Sequence, residues 1–167
     1  MAIIIRTATQ DDEPFLWQML YEAAHLQAEN KTVEDAMNHP ELFKYVKNWN
    51  AEDELGCIAT LFYDQPVGAA WLRLFTSENK GYGYINDQIP ELAVAVLPEY
   101  RNKGIGTHLL HHLICLAKFS YPAISLSIRD SNPAVNFYKR FGWQVVTDSE
   151  IINRVGEYSV TMKLDLA

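Results

Sequence analysis

Apolar and polar positions follow two different periods along this chain, and the places where the period changes mark its elements. Ile3-Ile4-Ile5 is β-branched and predicts a short strand. Thr9 or Asp11 then opens a helix whose first turn holds Asp12, Glu13 and Pro14, favoured there by the dipole and by proline's fixed φ. Phe15, Leu16, Met19, Leu20, Ala23 and Ala24 fall on one helical face. The polar stretch Gln27 to Asp35 interrupts it. From Pro40 a second helical pattern puts Leu42, Phe43, Val46 and Trp49 on one side.

From Gly56 the texture becomes strand-like. Cys57 to Tyr63 and Val67 to Phe75 flank Asp64-Gln65-Pro66 and predict a hairpin. Ser77 to Asp87 is polar, carries Gly81 and Gly83, and reads as a loop. Leu92 to Leu97 is apolar on both faces, as a central strand is, and Pro98 ends it. A helix follows from Gly104 to Phe119, burying Ile105, Leu109, Leu113, Leu116 and Ala117. Ile124 to Ile128 is a strand. Asn132-Pro133 opens a short helix through Arg140, stopped at Gly142. Trp143 to Thr147 and Tyr158 to Leu164 complete the order β-α-α-β-β-β-α-β-α-β-β. The pattern predicts one mixed α/β domain over 1–167, with no internal repeat and no linker.

Composition narrows the classes. The chain has 167 residues, 49% hydrophobic, enough for one packed globule. Its longest apolar run, Leu92 to Leu97, is far short of the ~20 residues a membrane span needs. The opening Met-Ala-Ile-Ile-Ile-Arg lacks the pattern of a secretory leader. Two cysteines, Cys57 and Cys115, imply no disulfide framework. A cytoplasmic setting is the expectation. The net charge is −7 and sits in the first sixty residues, which hold 11 acids and 4 bases. That surplus disfavours nucleic acid as a partner. It is either a solvated helical surface or a negative rim that concentrates a cationic substrate.

The chemistry is concentrated in Val94-Ala-Val-Leu-Pro-Glu-Tyr-Arg101-Asn-Lys-Gly104-Ile-Gly106-Thr107. A strand ends, a short turn follows, and two glycines enter a helix. Glycine lets a backbone come close to a ligand. The first N–H groups of a helix lack intrahelical partners, and the dipole is positive there, so the segment is an anion site with diphosphate the natural occupant. It is not a Walker loop, since Ile105 and Gly106 follow Gly104 instead of Lys and Ser/Thr. It is not the dinucleotide fingerprint, whose third glycine position is Leu109.

This arrangement resembles the GNAT superfamily of acyl-CoA-dependent N-acetyltransferases. Arg101 to Gly106 matches the family's Arg/Gln-x-x-Gly-x-Gly/Ala. Asn132-Pro-Ala-Val-Asn-Phe-Tyr138-Lys-Arg-Phe-Gly142-Trp143 is similar to its second segment, with Trp in place of Phe. The resemblance implies a mostly antiparallel central sheet with flanking helices, in which strands 91–97 and 123–128 run parallel and splay. The intervening helix is the crossover that a parallel pair requires.

The resemblance also implies the cofactor and the roles. Backbone groups of Val94, Ala95 and Val96 would bond the pantetheine arm of acetyl-CoA. Arg101, Asn102, Lys103, Gly104, Ile105, Gly106 and Thr107 would hold its diphosphate, and Asn132 would contact it or pin the splayed strands. Tyr138 would be the general acid that protonates the leaving sulfur, a step worth typically 10²–10⁴-fold. Glu91 lies near where many relatives place a carboxylate and is the candidate base. Ser127 stands where some relatives carry glutamate.

The expected activity is direct transfer of an acetyl group to a primary amine. The acceptor is expected to be a small cationic amine entering over residues 21–55 and the loop 76–88. The alternative is a non-catalytic acyl-CoA sensor or interaction module on the same fold. A homodimer through the final strands is compatible with the pattern. No metal is expected: His108, His111 and His112, with Cys115 and Lys118, read as a solvated face of the Gly104 helix. Trp17, Trp49 and Trp71 read as core, with Trp49 a candidate lining of an acceptor pocket.

Overall fold

The computed structural model describes residues 2–166, so Met1 and Ala167, the ends of the expected domain, lie outside the described residues. These residues gather into two compact units, 1–73 with 93–117 and 74–92 with 118–167. No helix among them is long and apolar enough to cross a membrane.

In the first unit β1 (Ile4–Thr7), β2 (Gly56–Leu61), β3 (Gln65–Arg73) and the later part of β4 (Glu91–Val96) lie side by side. The first two junctions are antiparallel, with Ile5 opposite Ala59 and Ile58 opposite Ala69. Helix α1 (Glu13–Ala23) buries Leu16, Trp17, Met19 and Leu20. Phe15, Ala23 and Ala24 are only half-buried. Thr9 does open this region: its N–H donates to Asp12 Oδ2 at 2.7 Å, while Arg6 donates twice to Asp12 at 2.8 Å.

Three local expectations change here. The segment Gln27 to Asp35 is not a simple break, because Thr32 caps a further helix, α2 (Val33–Asn38), accepting from Asp35 N–H at 3.3 Å. The helix from Pro40 is only one turn, α3 (Pro40–Phe43); Leu42, Val46 and Trp49 are buried as expected, but Phe43 is only half-buried and Tyr45 takes its place in the core. The hairpin turns two residues early, at Phe62 to Asp64, with Tyr63 and Asp64 both at φ 58. Gln65 and Pro66 therefore belong to β3, opposite Leu61 and Thr60. Trp17, Trp49 and Trp71 are core. Trp49 is 2% exposed and packs against Gly56.

Helix α4 (Ile105–Ala117) buries Ile105, Leu109, Leu110, Leu113 and Ala117; Leu116 is half-exposed. Cys57 lies beneath it, its thiol donating to Leu109 O, and burial pushes that thiol up to about 12. His108, His111, Cys115 and Lys118 are exposed and His112 is half-buried, and no group of three metal-ligating side chains occurs among the described residues.

In the second unit the start of β4 runs parallel to β5 (Ala123–Arg129), Glu91 opposite Ser125. β5 pairs antiparallel with β8 (Tyr158–Asp165) along its whole length. The outer edge of β8 carries β6 (Gln144–Val145) and β7 (Ile151–Ile152). The strand expected from Trp143 to Thr147 is thus only two residues long, because Trp143 turns inward and is buried at 2%. β7 escapes the sequence pattern because so short a strand carries no alternation. Helix α5 (Ala134–Arg140) ends at Gly142, φ 93. Mixed α/β class, a mostly antiparallel sheet and the parallel β4–β5 pair are all as the sequence implied.

Candidate active site

The turn between β4 and α4 is built to present unpaired donors. Leu97 N–H bonds Val67 O at 2.8 Å, and the short turn Pro98–Tyr100 reverses the chain. Asn102 (φ 62) and Gly104 (φ 83) both take left-handed conformations before α4 begins. His108 N–H is bonded to Gly104 O. The amides of Gly104, Ile105, Gly106 and Thr107 find no acceptor among the described residues, which is what a helix start leaves over. A Cβ at Gly106 would meet nothing within 4 Å, so packing does not require glycine there. Gly68, by contrast, is needed inside: its Cβ would fall 3.1 Å from Ala95 O.

Val94, Ala95 and Val96 are half-exposed, although a central apolar strand should be buried. Arg101, expected on the cofactor, is engaged by the protein: Nε donates to Val96 O at 2.9 Å and Nη2 to Glu22 Oε1 at 3.1 Å. It ties the end of β4 to α1 and so fixes the turn. Asn102, Lys103 and Gly104 are exposed.

The remaining candidates lie in the second unit. Asn132 Oδ1 accepts from Ala134 N–H at 2.9 Å, and its carbonyl accepts from Val135 N–H at 3.0 Å, so it opens α5. That helix orients Tyr138, whose ring sits edge-on to Phe137 and Trp143 with centroids 5.4 and 5.5 Å away. Tyr138 is 8% exposed. Its hydroxyl makes no hydrogen bond among the described residues and is not sealed from solvent. Burial pushes this phenol up to about 12, so it stays protonated at neutral pH, as a proton donor must.

Glu91 is 3% exposed. Its Oε1 accepts from Gly83 N–H at 2.9 Å. A Cβ on Gly81 would lie 2.3 Å from that oxygen, and one on Gly83 would lie 2.8 Å from the backbone of Leu126. The loop after β3 is therefore seated on both Glu91 and β5. In the sequence Gly81 and Gly83 mark only a loop, and their spacing of two ahead of Glu91 is the one signal of this seat. Ser125, buried opposite Glu91, carries no such signal.

Residues 17–143 match the model of the acetyltransferase (GNAT) family, and the chain belongs to that family. Among curated proteins it is similar to N-alpha-acetyltransferase 50 of Danio rerio, 35% identical over 98 residues, 56% of this chain and 55% of that protein. The chain thus spans about half the length of that relative. The fold matches the ribosomal-protein-S18-alanine N-acetyltransferase of Escherichia coli, with TM-score 0.70, 19% identity and coverage of 99% and 95% of the two chains. It also matches yncA of Salmonella typhimurium, solved with its cofactor acetyl-CoA, with TM-score 0.72, 18% identity and coverage of 100% and 95%.

Proposed function

We propose that this chain transfers an acetyl group from acetyl-CoA to a primary amine by direct attack, without an acyl-enzyme. The observation that carries this reading is the row of unpaired amides from Gly104 to Thr107 above a Gly106 that no packing demands. Those donors, at the positive end of a 13-residue helix, suit a diphosphate. Val94 to Val96 supply backbone groups for the pantetheine arm, and Asn102 and Lys103 extend the phosphate-facing turn. Arg101 and Asn132 hold the turn and α5 in place.

The bound thioester supplies an activated acyl group. Tyr138 holds a proton at its hydroxyl for the departing sulfur. Glu91 takes the proton of the incoming ammonium through water, because its buried carboxylate is reached only that way. A backbone N–H near Val96 polarises the acyl carbonyl.

The acid-rich first sixty residues favour a small cationic amine as acceptor. Four of those acids, Asp12, Glu22, Glu29 and Glu54, are used in ion pairs, and Glu34, Asp35, Glu41, Glu52 and Asp53 remain exposed. A peptide N-terminus is the second reading, favoured by the names of the Danio rerio and Escherichia coli relatives. A cytoplasmic setting belongs to the same proposal. The test follows free thiol release from acetyl-CoA against spermidine, an aminoglycoside and short peptides with free N-termini. Thiol release with at least one amine supports transfer. Tight acetyl-CoA binding with no release to any of them would make the chain a sensor.

A further inference from the structure

The polar residues of β5 are not scattered. Ser125, Ser127 and Arg129 share one face of the sheet, and Ile124, Leu126 and Ile128 the other. Their partners on β8 repeat the division: Ser125 faces Lys163, Ser127 faces Thr161, and Arg129 faces Ser159. Arg129 pairs with Glu157, Ser159 accepts from Asn153, and Lys163 turns to Asp165 at 3.2 Å. Ser125 differs. It is 0% exposed, and its Oγ has no hydrogen-bond partner.

Across the other flank Ser125 stands in register with Glu91, and Ser125 N–H donates to Pro90 O at 2.9 Å. Residues in register on neighbouring strands point to the same face, with Cβ atoms about 5 Å apart. A buried donor without an acceptor thus lies beside a buried carboxylate. Gly83 N–H donates to Oε1 of that carboxylate, and an ionised carboxyl accepts on both of its oxygens.

We propose that Ser125 is a positioning residue for Glu91. Its hydroxyl donates to the carboxylate, directly after rotation about χ1 or through one trapped water, and keeps Glu91 aimed. This rests on the base role given to Glu91 above. The same face carries Lys163, whose ammonium is held by Asp165, so Ser125 is the neutral donor nearest to Glu91 along the β5–β8 ladder.

The experiment is a double-mutant cycle with Ser125→Ala and Glu91→Gln, read with acetyl-CoA and whichever of spermidine or a free-N-terminal tetrapeptide is turned over, alongside urea unfolding of each variant. The expected result is a loss of kcat of roughly tenfold for Ser125→Ala. Acceptor KM stays unchanged, the urea midpoint falls, and no further kcat is lost in the Glu91→Gln background. Wild-type kcat in Ser125→Ala with an unchanged or higher midpoint, while Glu91→Gln is impaired, overturns the inference and leaves the base role standing. Wild-type kcat in Glu91→Gln overturns the base role, and this inference with it.

Discussion

The carboxylate of Glu91 accepts the backbone N–H of Gly83 at 2.9 Å, and Gly83 itself leaves no room for a side chain above Leu126. Two contacts of Gly83, to Glu91 eight residues on and to Leu126 of β5, therefore seat one loop on the parallel strand pair. Gly83→Ala would push a methyl to 2.8 Å from backbone that cannot swing aside. A loss of about 1–3 kcal/mol is expected from such overpacking, measured by urea unfolding. An unchanged midpoint would show that the loop does not rest on β5.

In Tyr138 the hydroxyl proposed to donate a proton is distinct from a ring that packs on Phe137 and Trp143. Because the hydroxyl has no partner among the described residues, Tyr138→Phe should unfold at nearly the wild-type urea midpoint at pH 7 and bind acetyl-CoA normally. Its kcat should fall by about 10²–10⁴-fold. Equal losses in affinity and none in kcat would assign the residue to packing. The alkaline side offers an independent check. Burial holds the phenol protonated up to about 12, above its ordinary value of 10, so its contribution is present below pH 10 and lost as pH rises toward 12. Urea midpoints between pH 10 and 12 should therefore decline more steeply for the wild type than for Tyr138→Phe.

The fold was legible wherever a strong period met a definite stop. Leu109, Leu113 and Ala117 announced α4, and Gly142 with its φ of 93 ended α5 as a left-handed residue does. Less visible were elements set by one side chain bonding its own neighbourhood. Thr32 opening α2 is one case; the hairpin is another kind, turned by Tyr63 and Asp64 at positive φ without a glycine to signal it. The turn from Arg101 to Thr107 could be read because paired glycines at the start of a helix leave a local mark in sequence. The pairing of Ser125 with Glu91 could not, because register between distant strands leaves no local mark in sequence.

Asp12 gives the acid side its own signature. Burial alone would raise this carboxyl, but the paired hydrogen bonds from Arg6 and the Thr9 N–H outweigh that and hold it below the usual range. A carboxylate lowered in the native state stabilises it above the ordinary carboxylate pKa, and the contribution disappears as pH falls through the native value. Asp12→Asn should therefore cost stability at pH 7, by about 1–3 kcal/mol, for a group hydrogen-bonded to a charged partner. The difference from wild type should shrink on acidification below pH 4. Urea midpoints at pH 3 and pH 7 measure it; a difference that is constant across that range would contradict the assignment.

The central claim is that the amides opening α4 receive the diphosphate of acetyl-CoA. Gly104→Val is a compromised probe, because the φ of 83 strains any side chain placed there. Gly106→Val is cleaner, since a Cβ at that position meets nothing in the protein. Titration calorimetry of acetyl-CoA against the wild type and Gly106→Val, with thermal unfolding of both apo proteins, is the most direct measurement. The expected result is binding by the wild type, a loss of at least about 100-fold in the variant from blocked phosphate contacts, and a melting temperature close to the wild type. Equal acetyl-CoA affinity in the two proteins would place the coenzyme elsewhere and contradict the account.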